Sequence, residues 1–286
     1  MNYTKFVSIM EKHIHKDEKR SLLKKIAENP DRFVGIYRST NSLAKLNQNL
    51  SQSREIRFGD GLEEVIEEMI SYMGYYNINK KIKGLDGSDL NLDQYFKDRN
   101  DNYYFIEQKV RDDHDSTKKR GQIDNFKKKQ EALINLNGNI IGIMYFVDPG
   151  LKKNKNYYIN ELETFSNTNK TEAKIFYGKE FFEFMGRSDL FEKLEEWLIN
   201  WKNTLPTVLN LNFDEDSIGT FEEIKYLEKK YWKKLINNND LWNQNIIQTL
   251  FPNAKVLNTM VDYFDDIGWI EEKKSLNSKI YEYYKI

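Results

Sequence analysis

The sequence predicts an α/β chain of the α+β kind, and three observations carry that prediction. First, Leu62, Val65, Ile66, Met69, Ile70 and Met73 fall at helical spacing and give one apolar stripe, with Gly74 placed to close the helix. Second, residues 103–110, YYFIEQKV, are rich in aromatic and β-branched side chains and read as a strand. Third, NIIGIMYFV at 139–147 is a continuous apolar run, as in a strand buried on both faces. With a further helix over 118–136, the order becomes helix, strand, strand, strand, helix, strand. That order recurs on many proteins and names no function by itself.

The chain of 286 residues can bury a substantial core as one large domain or two. Charged residues make up 31% with a formal net charge of -1, so any nucleic-acid contact must come from local basic patches. The absence of cysteine excludes disulfides and thiolate zinc sites and fits a reducing, cytoplasmic setting. No apolar run is long enough to span a membrane, and the N-terminus shows no signal-peptide pattern. Aromatic residues at 14% argue for a packed chain rather than a disordered one.

Residues 1–28 read as helical, with Phe6, Val7, Met10 and Ile14, then Leu22, Leu23 and Ile26, at helical spacing. His13 and His15 are two positions apart, so on a helix they diverge by about 200° and make a poor metal pair. Residues 39–56 are polar and read as a loop or weak helix, and Gly59-Asp60-Gly61 punctuates the chain. A first core strand is expected over 75–82, a turn over 83–88, and then two strands joined by the polar turn 97–102. Asn137-Gly138 closes the next helix. Beyond 139–147 come a basic polar stretch, a strand over 173–177, helices over 179–185 and 189–201, and a connection over 206–217. The last portion predicts helices at 221–236, 240–250 and 253–266, a stop at Gly268, and a β-hairpin in WIEEKKSLNSKIYEYY. Three helices and a hairpin resemble a winged-helix module. The expected domains are therefore a helical N-terminal cap over 1–57, a core over 58–216, and a winged-helix-like DNA-binding or dimerisation module over 217–286.

The chemistry concentrates between Asp93 and Gln122. Glu107 and Lys109 lie two apart on the 103–110 strand and share a face, with Tyr104, Ile106 and Val110 on the other. Asp93 joins them if its strand is the neighbour. Two carboxylates side by side repel, and a divalent metal removes that conflict. Hard oxygen ligands suit Mg²⁺, with Mn²⁺ as a substitute, and one or two carboxylates are enough because Mg²⁺ keeps several waters. Such a metal lowers the pKa of bound water and neutralises developing charge, while the lysine stabilises a transition-state phosphate. The set describes a phosphodiesterase.

At Asp93 and Glu107-Gln108-Lys109 the chain resembles the PD-(D/E)XK nuclease superfamily and, within it, type II restriction endonucleases. Leu92 stands where that pattern usually has proline, and the run RDDHDSTKKRGQ after the triad is similar to one subgroup. The resemblance covers residues 55–150. It implies a restriction-endonuclease-like core, Asp93 and Glu107 as metal ligands, and Lys109 orienting the attacking water. It also implies a glutamate from the helix before the sheet, for which Glu63 is the choice and Glu67 the poorer one. The expected activity is Mg²⁺-dependent, sequence-specific hydrolysis of double-stranded DNA, giving 5′-phosphate and 3′-hydroxyl ends. A cognate methyltransferase would protect host DNA. One D…ExK set and no internal repeat point to a homodimer on DNA.

Several side chains are expected at the DNA. Lys118, Lys119 and Arg120 stand at a helix N-terminus, where basic groups oppose the dipole unless an anion is near. Ser116 or Thr117 is expected to cap that helix, Asp113 and His114 to meet base edges, and Gln122 to touch DNA or Lys109. Asn253, Lys255 and Asn258 would read bases from the helix at 253–266. Asp112-Asp113-His114-Asp115 also evokes a His-Asp phosphohydrolase, but the required partner histidines are missing nearby. The alternatives are a repair or nicking nuclease, and a winged-helix regulator with an inactive core.

Overall fold

The computed structural model describes residues 1–35, 37, 39–137, 140–206 and 209–284. The first helices are α1 (Tyr3–Ile14), α2 (Glu18–Glu28), α3 (Asp31–Val34) and α4 (Ser42–Tyr72). The strands β1 (Tyr76–Asn77), β2 (Lys81–Lys83), β3 (Asp89–Asn91), β4 (Gln94–Lys97) and β5 (Tyr103–Lys109) follow. Next come α5 (Ser116–Asn137), β6 (Ile140–Phe146), α6 (Lys155–Asn169), β7 (Glu172–Tyr177), α7 (Lys179–Phe184) and α8 (Ser188–Lys202). The remaining elements are α9 (Ser217–Ile224), α10 (Lys229–Asn237), α11 (Asn239–Asn243), α12 (Ile246–Leu250), α13 (Lys255–Asp266) and α14 (Ile270–Tyr284). Among the described residues no helix is long and apolar enough to cross a membrane.

Two units make up the chain, residues 1–13 with 58–205 and residues 14–57 with 206–286. The first holds a five-stranded sheet in the order β1-β4-β5-β6-β7. Its β1–β4 and β4–β5 pairs are antiparallel, and β5–β6 and β6–β7 are parallel. Instead of the single strand expected over 75–82, β1 joins this sheet while β2 pairs with β3 in a separate hairpin. Parallel neighbours need a crossover, which α5 and α6 provide. Phe105 packs with Ile123 and Phe126 of α5, and Met144 and Phe146 join Tyr158 and Leu162 of α6 in the same apolar cluster. The helix α6 is absent from the sequence expectation, because the polar lead LKKNKN hides the buried positions Tyr158, Leu162 and Phe165. On the opposite face Tyr145 packs on Phe181 of α7, with ring centres 4.7 Å apart. Gly138 and Asn139, expected to stop α5 and open the next strand, lie outside the described residues.

Gly142 of β6 faces Gln130 of α5 so closely that a Cβ there would collide with the carboxamide. Gln130 is fully buried, and its Nε2 donates to the Glu172 carbonyl at 2.9 Å and to Thr171 Oγ1 at 3.1 Å. Gly142→Ala is expected to destabilise the fold by about 1–3 kcal/mol. A urea midpoint equal to that of the wild type would show that the helix yields at no cost.

The two glycines at 59 and 61 do not interrupt α4, which runs as 31 residues through the stretch expected as a loop or weak helix. Gly61 lies where α1 comes close: a Cβ there would stand 3.0 Å from Met10 Sδ. The second unit corrects the expected domain plan. Leu22, Leu23, Ile26, Phe33, Leu46 and Leu50 share one hydrophobic core with Trp232, Trp242, Phe264, Leu276 and Ile280. Residues 14–57 and the C-terminal segment are therefore one unit rather than a cap and a separate module, and residues 1–13 group with the sheet.

The winged-helix expectation is corrected too. The segment predicted as a hairpin is the helix α14, with Glu272, Leu276 and Ile280 buried four residues apart. That period is helical, and the aromatic residues at the end suggested strands only by composition. Among its described residues this second unit is all helical.

Candidate active site

The register of β4 on β5 assembles the site. Gln94 pairs with Ile106 and Tyr95 with Phe105, so one step further Asp93 reaches the level of Glu107. Asp93 Oδ2 accepts the Gln108 backbone N–H at 2.8 Å and the Lys109 ammonium at 3.1 Å. Lys109 Nζ also donates to Glu107 Oε1 at 2.8 Å and to the Gln108 carbonyl at 2.8 Å. Asp93, Glu107 and Lys109 thus converge as their alternation predicts.

Two further side chains arrive from α5 and were not anticipated. Lys129 Nζ donates to Glu107 Oε2 at 2.5 Å and lies 3.9 Å from Asp93 Oδ1. Asn125 Nδ2 donates to Glu107 Oε1 at 3.2 Å. Lys129 is only 5% exposed. A signal for it existed: it stands three residues after Phe126 and four before Leu133, inside the buried stripe of α5. A lysine at such a position needs an acidic partner. It was hidden within the run Lys127-Lys128-Lys129.

Burial and the neighbouring Glu107 charge push the Asp93 carboxyl above its ordinary range, against Lys109 and Lys129. Burial acts the same way on Glu107, but the two lysines overcome it and hold that carboxyl low. The two carboxylates in turn keep Lys109 firmly protonated despite its burial. On α4, Glu63 is close enough to feel the Asp93 charge. Its carboxyl is raised chiefly by burial, with Asp93 and Asp60 adding, while Lys80 opposes. Glu63 Oε1 accepts from Lys80 at 2.6 Å, and the same ammonium reaches Glu67 Oε2 at 3.0 Å. Gln94 ties this part of α4 to the sheet by donating to the Glu63 carbonyl at 2.7 Å.

The loop after β5 is built around Asp112, which is wholly buried. It accepts the Asn154 N–H and Nδ2 at 2.8 Å each and the Tyr177 hydroxyl at 2.9 Å. This is a structural clamp rather than the centre of a His-Asp hydrolase. The half-buried His114 joins it only through its carbonyl, which accepts from Asn154 Nδ2 at 3.1 Å, while its ring Nε2 meets Gln122 Nε2 at 3.1 Å. Gln122 Oε1 accepts from the Tyr158 hydroxyl at 3.0 Å. Gln122 is thus held by His114 and Tyr158 rather than by Lys109.

The expected cap of α5 is corrected by one residue. Asp115, not Ser116 or Thr117, accepts the N–H groups of Lys118 at 2.8 Å and Thr117 at 3.0 Å. Those two backbone donors, Lys118 first, hold the Asp115 carboxyl below its usual range. Asp113, Ser116, Thr117, Lys118 and Arg120 are exposed. Arg120 Nε donates to the Ser116 carbonyl at 3.0 Å, and Lys119 Nζ sits 4.4 Å from the centre of the Tyr157 ring. In the other unit Asn253, Lys255 and Asn258 are exposed at the start of α13. The backbone there is already satisfied by a buried carboxylate, since Asp214 accepts from Asn253 N at 2.8 Å and Val256 N at 2.9 Å. That helix end offers a phosphate no free amide pair at those two positions.

Among the described residues no three His, Cys, Asp or Glu side chains form a group able to hold a metal ion. Asp93 and Glu107 are a pair of hard oxygen donors, which is a sufficient protein contribution for Mg²⁺ when water and phosphate complete its shell. A family model described as the type II restriction endonuclease HinfI matches residues 86–202. That span contains Asp93, Glu107, Lys109, Asn125 and Lys129, together with the whole of β4 to α8. No curated protein matches the chain.

Proposed function

We propose, for a chain whose residues 86–202 match a family model described as the type II restriction endonuclease HinfI, a Mg²⁺-dependent hydrolase of double-stranded DNA that cuts at a specific sequence. The observation that carries the reading is the meeting of Asp93, Glu107 and Lys109 on one face of β4 and β5. Asp93 and Glu107 would hold Mg²⁺, which would supply a more acidic water and neutralise charge on the phosphate. Lys109, fixed by two carboxylates and one carbonyl, orients the attacking water and stabilises charge gathering on the phosphoryl oxygens. Water adds to phosphorus, the bond to the 3′ oxygen breaks, and a proton passes to that oxygen. The products carry a 5′-phosphate and a 3′-hydroxyl. Glu63, within electrostatic reach of Asp93, is a further acidic group of the site.

DNA contacts are assigned to Asp113, His114, Ser116, Thr117, Lys118, Lys119, Arg120 and Gln122 around the start of α5. Asn253, Lys255 and Asn258 are assigned to base or phosphate contact through side chains alone. One D…ExK set per chain calls for two chains to cut both strands. A methyltransferase of the same specificity would protect the host DNA in the cytoplasm.

The test uses unmethylated DNA. Protein treated with EDTA is expected to bind without cutting, Mg²⁺ or Mn²⁺ to restore cutting into discrete fragments, and Ca²⁺ to support binding with little cleavage. Sedimentation of the Ca²⁺ complex is expected to show two chains per duplex. Full activity in excess EDTA would remove the metal-dependent reading, and random nicking would remove the sequence-specific one.

A further inference from the structure

Lys129 is not required by the D…ExK pattern, which Lys109 already completes. It is nonetheless the more deeply buried of the two lysines. Its ammonium comes from the crossover helix α5, whereas that of Lys109 comes from β5 itself. Glu107 Oε2 accepts from Lys129 at 2.5 Å, and Asp93 Oδ1 is 3.9 Å away. Asp93 and Glu107 together carry two negative charges when ionised, and Lys109 and Lys129 offset both. A cation entering beside these oxygens meets a fixed, buried positive charge, and salt screens that repulsion little.

We infer that Lys129 is a positioning residue that sets how weakly the Asp93–Glu107 pair takes a divalent cation, through its contacts with both carboxylates. The inference rests on the metal-dependent reading above and adds a residue that the motif does not contain. Its role is separable from those of Asn125 and Lys109, which donate to the other oxygen of Glu107, Oε1.

The test is calorimetric titration of Mn²⁺ into the full chain without DNA. Lys129→Met, which keeps the length of the side chain and loses its charge, is expected to bind Mn²⁺ at least ~10-fold more tightly than the wild type, a change of ~1.4 kcal/mol. Lys129→Gln, which keeps a hydrogen-bond donor towards Glu107, is expected to tighten binding in the same direction. Half-saturating Mn²⁺ for cleavage should fall with it. Equal or weaker Mn²⁺ affinity in either folded variant overturns the inference. If neither variant folds, Lys129 is a structural counter-ion and the inference fails as well. Wild type and Glu107→Gln separate the two levels of the argument. Mn²⁺ bound by the wild type and lost in Glu107→Gln supports the site, whereas wild-type cleavage that persists in full in excess EDTA removes the metal reading itself.

Discussion

Glu107→Ala is expected to lower DNA cleavage by at least about 10³-fold, on the order of 4 kcal/mol of barrier. Three donors converge on this carboxylate. Lys109, Lys129 and Asn125 donate to it, and Asp93 shares Lys109 with it. Its removal takes away one of two candidate metal-binding carboxylates and leaves a buried lysine without its nearest partner. The structural share of the loss is separable, because Glu107→Gln preserves size and most hydrogen bonding while removing the charge. Asp93→Ala and Lys109→Ala are expected to fall by a similar factor, with DNA binding retained at least in the lysine variant. Single-turnover cleavage on one duplex measures all of them. Near-wild-type cutting by folded Glu107→Ala would remove it from the chemistry.

The site was legible where local geometry has a fixed period. Glu107 and Lys109 share a face because strands alternate, and the antiparallel β4–β5 register needs only the short turn at 98–102 to bring Asp93 across. Lys129 and Asn125 are 22 and 18 residues beyond Glu107, on a helix whose rotation about its axis the strand pattern does not report. For Lys129, only its place within an apolar stripe gave a mark. The C-terminal hairpin failed for the converse reason. Aromatic content there resembles a strand, whereas the four-residue spacing of Glu272, Leu276 and Ile280 is helical, and spacing decided the outcome. The two glycines that suggested a break in α4 cost about 1 kcal/mol each, and the helix runs through both, with Leu62, Val65, Ile66, Met69 and Ile70 buried beyond them.

Asp112→Ala is expected to cost about 3 kcal/mol of stability, from the loss of charged hydrogen bonds and the desolvated donors left behind. The carboxylate joins the segment after β5 to Asn154 at the start of α6 and to Tyr177 at the end of β7. Burial and Asp112 both hold the Tyr177 hydroxyl in its neutral, donating form. Asp112→Asn should recover part of the loss, since an amide oxygen still accepts. Urea denaturation of the three proteins gives the comparison. A midpoint for Asp112→Ala equal to that of the wild type would mean that the clamp carries no weight.

The partners of Glu107 on α5 also bear on when the site comes into being as the chain is made. A nascent chain that has released β5 carries Glu107 and Lys109 but not yet the helix that orders Glu107, and β5 lacks its parallel neighbour until residue 146 has emerged. Parallel pairing across a crossover is non-local and cannot form before the crossover and the second strand have been made. Unfinished or prematurely ended chains therefore possess the motif as letters without possessing the arrangement, and in a cell translating this protein Asp93, Glu107, Lys109 and Lys129 meet only after the crossover has closed.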